Sequence, residues 1–219
     1  MRGRNQRVRT MLGGMFALGL GMALTPLAAQ SAAAAAEGCV AHAAEAEQKL
    51  NIPAGMLLAI ALVESGTDGT PNPYAISANG RAIMARSPQD AARHLRDRGG
   101  RVRENTYVGC MQLSVNVHKG QFAPLEKIAD PRENVWYAGR LLVRLHGEEG
   151  SWKAAIARYN GTSPRRAQAY VCKVWQNLAE LDQESAKLIA SPKCDDSERA
   201  SIAPATRRTF RNAQVAALD

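Results

Sequence analysis

The sequence predicts a mainly α fold: one compact helical domain with a small β-hairpin beside its cleft. Three observations predict it. Apolar residues recur at helical spacing between Val40 and Leu181. Helix-start signatures stand at Ser87, Asp130, Ser151 and Ser163. Asn79-Gly80 is the one strong hairpin turn in the chain.

The elements follow in order. Residues 1–36 read as an export signal. Arg2, Arg4, Arg7 and Arg9 come first, then an apolar stretch from Met11 to Ala29, then the small-residue run Ala32 to Ala36. The apolar stretch is also about as long as a minimal membrane-spanning helix, so an uncleaved anchor is the competing reading. Residues 37–194 form the domain. Val40 to Leu50 is rich in alanine and glutamate and predicts a first helix. Pro53 suits the first turn of a second helix, which runs through Met56, Leu57, Leu58, Ile60 and Leu62 to Glu64. That segment is apolar on nearly every face, which predicts a buried central helix ending at Gly66.

Short strands are expected at Tyr74–Ser77 and Arg81–Ala85, around the Asn79-Gly80 turn. Ser87-Pro88-Gln89-Asp90 opens a helix expected to stop near Gly99, and Asp130-Pro131-Arg132-Glu133 opens another. Ser151 starts a helix that ends at Tyr159. Ser163-Pro164 starts the last strong one, with Ala167, Tyr170, Val171, Val174, Trp175 and Leu178 on one face. Residues 195–219 hold few large apolar groups and are expected to be a mobile tail.

Composition narrows the function classes. The chain has 219 residues, 46% hydrophobic and 22% charged, which excludes a disordered protein. No repeat is visible, which excludes a solenoid. The net charge is +8, and setting aside the four arginines and no acids of residues 1–36 leaves +4 for the remainder. Weak positive charge suits a polyanionic partner such as cell wall or nucleic acid. No nucleic-acid-binding module is recognisable, and export argues against one. Cys39, Cys110, Cys172 and Cys194 lie in the exported portion, where an oxidising compartment predicts at least one disulfide; three full pairings are open. Their spacing does not match a zinc site.

Three short stretches carry the chemistry. In Ala59-Ile60-Ala61-Leu62-Val63-Glu64-Ser65-Gly66, a carboxylate closes a buried helix. Burial and the negative end of that helix both favour its neutral form, as a glycosidase acid requires. The other two are Gly109-Cys110-Met111-Gln112 and Ala157-Arg158-Tyr159-Asn160-Gly161. By residue type alone, Glu64 is a helix-end glutamate, Gln112 and Asn160 are turn or capping residues, and Met111 is core. His118 and the tryptophans Trp136, Trp152 and Trp175 read as structural. The arginines between Arg93 and Arg103 read as a solvated face.

Taken together, the three stretches resemble the soluble lytic transglycosylases of the goose-lysozyme-like superfamily. Those enzymes share a Glu-Ser pair ending an apolar helix, then a Gly-x-Met-Gln stretch, then a Tyr-Asn pair. The resemblance covers roughly residues 39 to 182. It is closest to members that open the wall for secretion, conjugation or flagellar machines. Two departures are Cys110, where many members have Leu, and Tyr159-Asn160-Gly161, one residue tighter than the common Tyr-Asn-Ala-Gly.

The export signal implies a periplasmic location, and the resemblance implies an α+β lysozyme-like fold and peptidoglycan glycan strands as substrate, with no metal or cofactor. Glu64 would be the single catalytic acid/base, cutting the β-1,4 bond between N-acetylmuramic acid and N-acetylglucosamine and leaving 1,6-anhydro ends. Tyr159 would hydrogen-bond and orient Glu64. Gln112 and Asn160 would bind sugar groups, Gly109 and Met111 would shape the groove floor, and Ser65 would meet the substrate or the helix end. The tail, through Phe210 between Arg208 and Arg211, would offer a docking point for a partner machine. A muramidase of the same fold and a non-catalytic glycan-binding component are the rival readings.

Overall fold

A computed structural model describes residues 27–161, 163–194 and 200–216. The expected leader lies outside the described residues up to residue 26. From Leu27 the chain is already helical in α1 (Leu27–Lys49), through the expected cleavage zone and the first predicted helix. No helix among the described residues is long and apolar enough to cross a membrane.

The centre of the molecule is α2 (Met56–Ser65). Every residue from Met56 to Leu62 is buried, so its uniform apolarity is met by neighbours on all sides. Those neighbours are α1 and α7 (Pro164–Leu181). Around them stand α5 (Pro131–Glu149), packed on α1, and α6 (Trp152–Tyr159), packed on α5 and α7. Three of the four expected helix starts are capped: the side chains of Ser87, Asp130 and Ser151 accept from the backbone N–H of Asp90, Glu133 and Ala154, whereas Ser163 makes no side-chain cap.

The amino end of α2 is held unusually. Gly55 precedes it in a left-handed conformation and supplies no side-chain cap. Glu47 of α1 reaches across instead. Its Oε1 accepts from Leu57 N at 2.7 Å and Leu58 N at 3.1 Å, and its Oε2 from Gly55 N at 2.8 Å. Burial pushes the Glu47 carboxyl up to about 8, against the pull of these three N–H groups.

A small antiparallel sheet flanks the carboxyl end of α2. Its order is β4-β3-β5-β6, with β3 (Ala75–Ala78), β4 (Arg81–Met84), β5 (Thr106–Val108) and β6 (Leu113–Ser114). The β3–β4 hairpin turns at Asn79-Gly80, as its sequence predicts. β5 and β6 are too short to leave a periodic signal. A two-residue ribbon, β1 (Gly66–Thr67) with β2 (Thr70–Pro71), continues directly from α2.

Two expectations change. The helix opened by Ser87, α3 (Pro88–Arg93), stops well short of Gly99. Asp97 diverts the chain there: its Oδ1 accepts from Gly99 N and Arg101 N, and Arg96 bridges back to Val102.

The second correction is the tail. After the short helix α8 (Gln183–Lys187), residues 200–216 are not a free coil; they dock, with α9 (Pro204–Ala216) on α1. Phe210 is 2% exposed and Ile202 5%. Ala203 N donates to Gly69 O at 3.0 Å, and the hydroxyls of Thr70 and Thr206 lie 3.2 Å apart. Counting apolar residues in isolation misjudges this segment. It adds one amphipathic face to a core that already exists, so few side chains are needed to hold it.

Two disulfides, Cys39–Cys110 and Cys172–Cys194, pair all four cysteines. The first ties α1 to the Gly109–Gln112 turn. Closing loops of 71 and 22 residues stabilises by roughly 4 and 3 kcal/mol in the chain-entropy account.

Candidate active site

Glu64 is the penultimate residue of α2 and lies partly buried where the helix meets the sheet. Burial pushes its carboxyl up to about 7, and a hydrogen bond from Tyr170 pulls the other way. That bond runs from Tyr170 Oη to Glu64 Oε1 at 2.6 Å. Tyr170 is itself only 7% exposed. Its phenol is held well above the ordinary range by burial and then by the Glu64 charge, so it stays a donor.

This corrects one expected role. Tyr159 does not bond Glu64; its Oη donates to Met111 O at 2.9 Å. It lines the cleft next to Glu64 and braces the Gly109–Gln112 turn, while Tyr170, one helix later, takes the carboxylate. Burial and the nearby Glu64 charge hold the Tyr159 phenol protonated as well.

The turn itself is tightly specified. Gly109 has φ +81°, and a Cβ there would lie 2.6 Å from Asn134 Nδ2. Asn134, fully buried on α5, ties the turn down. It accepts from Met111 N at 3.0 Å and donates to Val108 O and Ile128 O at 2.9 Å each. Gln112 follows at φ +43°, a strained backbone for a side-chain-bearing residue. Its Nε2 donates to Ala75 O at 2.9 Å and Gly109 O at 3.1 Å, which pins the side chain at the cleft and leaves Oε1 as an acceptor.

Ser65 takes the helix-end role that was one of its two expected roles, whereas Met111 departs from expectation. Ser65 Oγ lies 2.9 Å from Cys110 O and 3.1 Å from Ala61 O and accepts from Asn72 N, so its hydroxyl serves the junction of helix, turn and loop. Met111 is fully buried: it supports the cleft from behind and does not form its floor. Asn160 lines the cleft as expected.

Two recesses meet at Glu64. The larger, about 470 Å³, is lined by Leu113, Val117, His118, Arg144, Glu148, Arg158, Tyr159 and Asn160 among others. The smaller, about 390 Å³, lies between the ribbon after α2 and the β3–β4 hairpin, against Ser65, Thr67, Ile76, Ser77 and Met84. Glu64, Tyr107 and Gln112 line both. The result is a continuous groove with the carboxyl in its middle, a shape that fits a chain running through it. Tyr107 is 43% exposed there, an aromatic face open to a ligand.

Residues 41–172 match the family model of the Transglycosylase SLT domain. The chain belongs to that family. Its fold is accordingly the mainly α, lysozyme-like one, and the family indicates lytic transglycosylase activity on peptidoglycan. Comparisons with curated proteins and with solved structures found no match.

Sequence reasoning missed Tyr170, Asn134 and Tyr107. Tyr170 fits the apolar face of α7 and reads as core. Asn134 directly follows a capping signature and reads as a polar first-turn residue. Tyr107 lies in a strand too short to assign. The one signal that could have found Tyr170 is a tyrosine hydroxyl on an otherwise apolar helix face, which needs a buried partner.

Proposed function

We propose that this protein cuts the β-1,4 bond between N-acetylmuramic acid and N-acetylglucosamine by a lytic, non-hydrolytic route. Glu64 serves as acid and then as base. The observation that carries the reading is a partly buried carboxyl, raised to about 7, standing alone at the junction of two recesses. In its neutral form it donates a proton to the departing glycosidic oxygen. As carboxylate it then accepts the proton of the muramic acid C6 hydroxyl while O6 bonds to C1. One bond breaks, one forms, the proton is returned to Glu64, and no water is consumed.

Tyr170 orients the carboxylate and lends it a hydrogen bond in the charged half of the cycle. Gln112 offers its Oε1 and Asn160 its amide to sugar hydroxyl or acetamido groups, and Tyr107 offers a stacking face. Gly109 and Met111 act from behind, and Tyr159 and Ser65 from the groove wall, by fixing the turn that carries Gln112.

The hydrolytic rival has one observation in its favour: Glu148 is a second carboxylate lining the larger recess. It is exposed, and it lines that recess only. Glu148→Gln therefore separates the readings. Cleavage within a few-fold of wild type supports the single-carboxylate route, whereas a loss of about 10²–10⁴-fold, matching that of Glu64→Gln, would identify a two-carboxylate hydrolase.

The proposed setting is the periplasm. The basic and apolar leader supports export, and two disulfides suit an oxidising compartment. The narrower likeness over Met111 to His118 and Tyr159 to Pro164 supports local opening of the wall for a secretion, conjugation or flagellar machine. With Phe210 buried, a partner meeting the C-terminal helix would read its outward side, where Arg208 and Arg211 are exposed.

A further inference from the structure

Four helices hold the turn from Gly109 to Gln112, each through a different residue. Ser65 of α2 bonds Cys110 O through its hydroxyl at 2.9 Å. Asn134 of α5 accepts from Met111 N at 3.0 Å, and Tyr159 of α6 donates to Met111 O at 2.9 Å. The fourth tether is covalent. Cys110 is joined to Cys39 of α1, and both residues are fully buried. α1 itself packs on α2, α5 and α9, so the link ends on a fixed base. The second disulfide has no such place: it joins α7 to the stretch after α8, and neither Cys172 nor Cys194 lines a recess.

This turn needs holding. Cys110 and Met111 stand between two left-handed residues, Gly109 at φ +81° and Gln112 at φ +43°. Glycine adopts that conformation freely. Glutamine does not, and it stays there only where its surroundings over-determine it. The direction of Gln112 Oε1 follows from the turn, because Nε2 is bonded to Ala75 O and Gly109 O. Each of the three hydrogen-bonded tethers can open transiently, whereas the covalent one cannot. We propose that the Cys39–Cys110 disulfide is a positioning device for Gln112, and that the dithiol form of the protein folds with this one turn loosened. The sugar-binding side of the groove is then completed only where the bond can form, in an oxidising compartment. This inference rests on the glycan-cleaving reading, in which Gln112 binds sugar.

The test uses the double variant Cys172→Ala, Cys194→Ala, which keeps Cys39–Cys110 as its one disulfide. It is unfolded in dithiothreitol and refolded with and without that reductant. The dithiol loses two electrons and two protons as it closes to a cyclic disulfide, and Cys39 and Cys110 gain them as two thiols. The oxidised protein should show the wild-type KM on purified peptidoglycan. The reduced protein should show a KM raised about tenfold with kcat within a few-fold, as expected for one lost sugar contact. Reoxidation by oxidised glutathione should restore the KM. Hydrogen exchange should quicken on reduction at the amides of Gly109, Met111 and Gln112, which are bonded to Ala75, Asn134 and Gly109, while α2 keeps its protection. An unchanged KM, or a loss of protection spread evenly over the domain, would overturn the proposal. If the reduced chain does not refold, Cys39→Ala, Cys110→Leu takes its place, with the same KM and exchange expected; wild-type values there, or a second failure to fold, would overturn it. If the oxidised protein cuts nothing, the cleavage reading falls, and exchange alone decides: quickening confined to the turn supports the positioning role, and none refutes it.

Discussion

Tyr170 and Glu64, 106 positions apart in the chain, share a 2.6 Å hydrogen bond at the middle of the groove. The hydroxyl donates to the carboxylate, so it stabilises the charged form, while burial favours the neutral one and wins, leaving the group near 7.

This opposition gives a pH prediction. Activity needs Glu64 protonated at the first step, so turnover should fall as pH rises through about 7. Tyr170→Phe removes the hydrogen bond to the carboxylate. The alkaline limb of kcat/KM should then move to higher pH, with a loss of roughly 10-fold in kcat, since the carboxylate is also the later base. Tyr159→Phe keeps that bond and should leave the limb in place. A shift in the Tyr159 variant and none in the Tyr170 variant would reverse the roles.

Glu47 holds the opposite end of the same helix. Its folded-state value of about 8 lies above the ordinary 4.5. The sign follows: the neutral form is tolerated in the fold, ionisation is not, and stability is lost as pH rises from about 4.5 through about 8. Glu47→Gln, which keeps one acceptor and cannot ionise, should gain in melting temperature relative to wild type between pH 5 and pH 9. Glu47→Ala leaves three buried N–H groups of α2 and its lead-in without acceptors and should cost about 3 kcal/mol or more at any pH. Thermal melts across pH check both, and a Glu47→Gln protein with the wild-type slope would show that Glu47 does not titrate.

The C-terminal segment supplies a third prediction. Deleting Ser197 to Asp219 exposes the surface under Ile202 and Phe210 and removes the contacts that Ala203 and Thr206 make with Gly69 and Thr70. Stability should fall by roughly 3–6 kcal/mol. Because the ribbon after Glu64 loses its support, KM should rise as well. A truncated protein with unchanged melting temperature and kinetics would mean that the segment only rests on the surface.

The parts legible in the sequence were those whose signal is local. The apolarity of α2 on all faces marks burial before any neighbour is known. A carboxylate at the end of such a helix marks Glu64. A capping pair marks the start of α5, and a single cap serine that of α6. Contacts decided by distant partners were not legible. Tyr170 looks like a core tyrosine until α7 is laid beside α2. Met111 belongs to a motif that reads as groove floor, yet the fold turns it inward behind the cleft. The C-terminal segment looked too poor in apolar residues to order, because the face of α1 on which α9 packs cannot be seen from the segment itself.

The central claim is that one carboxylate, Glu64, breaks the glycosidic bond without water. The most direct measurement is mass spectrometry of the fragments released from purified peptidoglycan by the wild-type protein, with Glu64→Gln as control. The account predicts 1,6-anhydromuramic acid ends from wild type and no release from the variant. Reducing muramic acid ends from wild type, or continued release by Glu64→Gln, would contradict it.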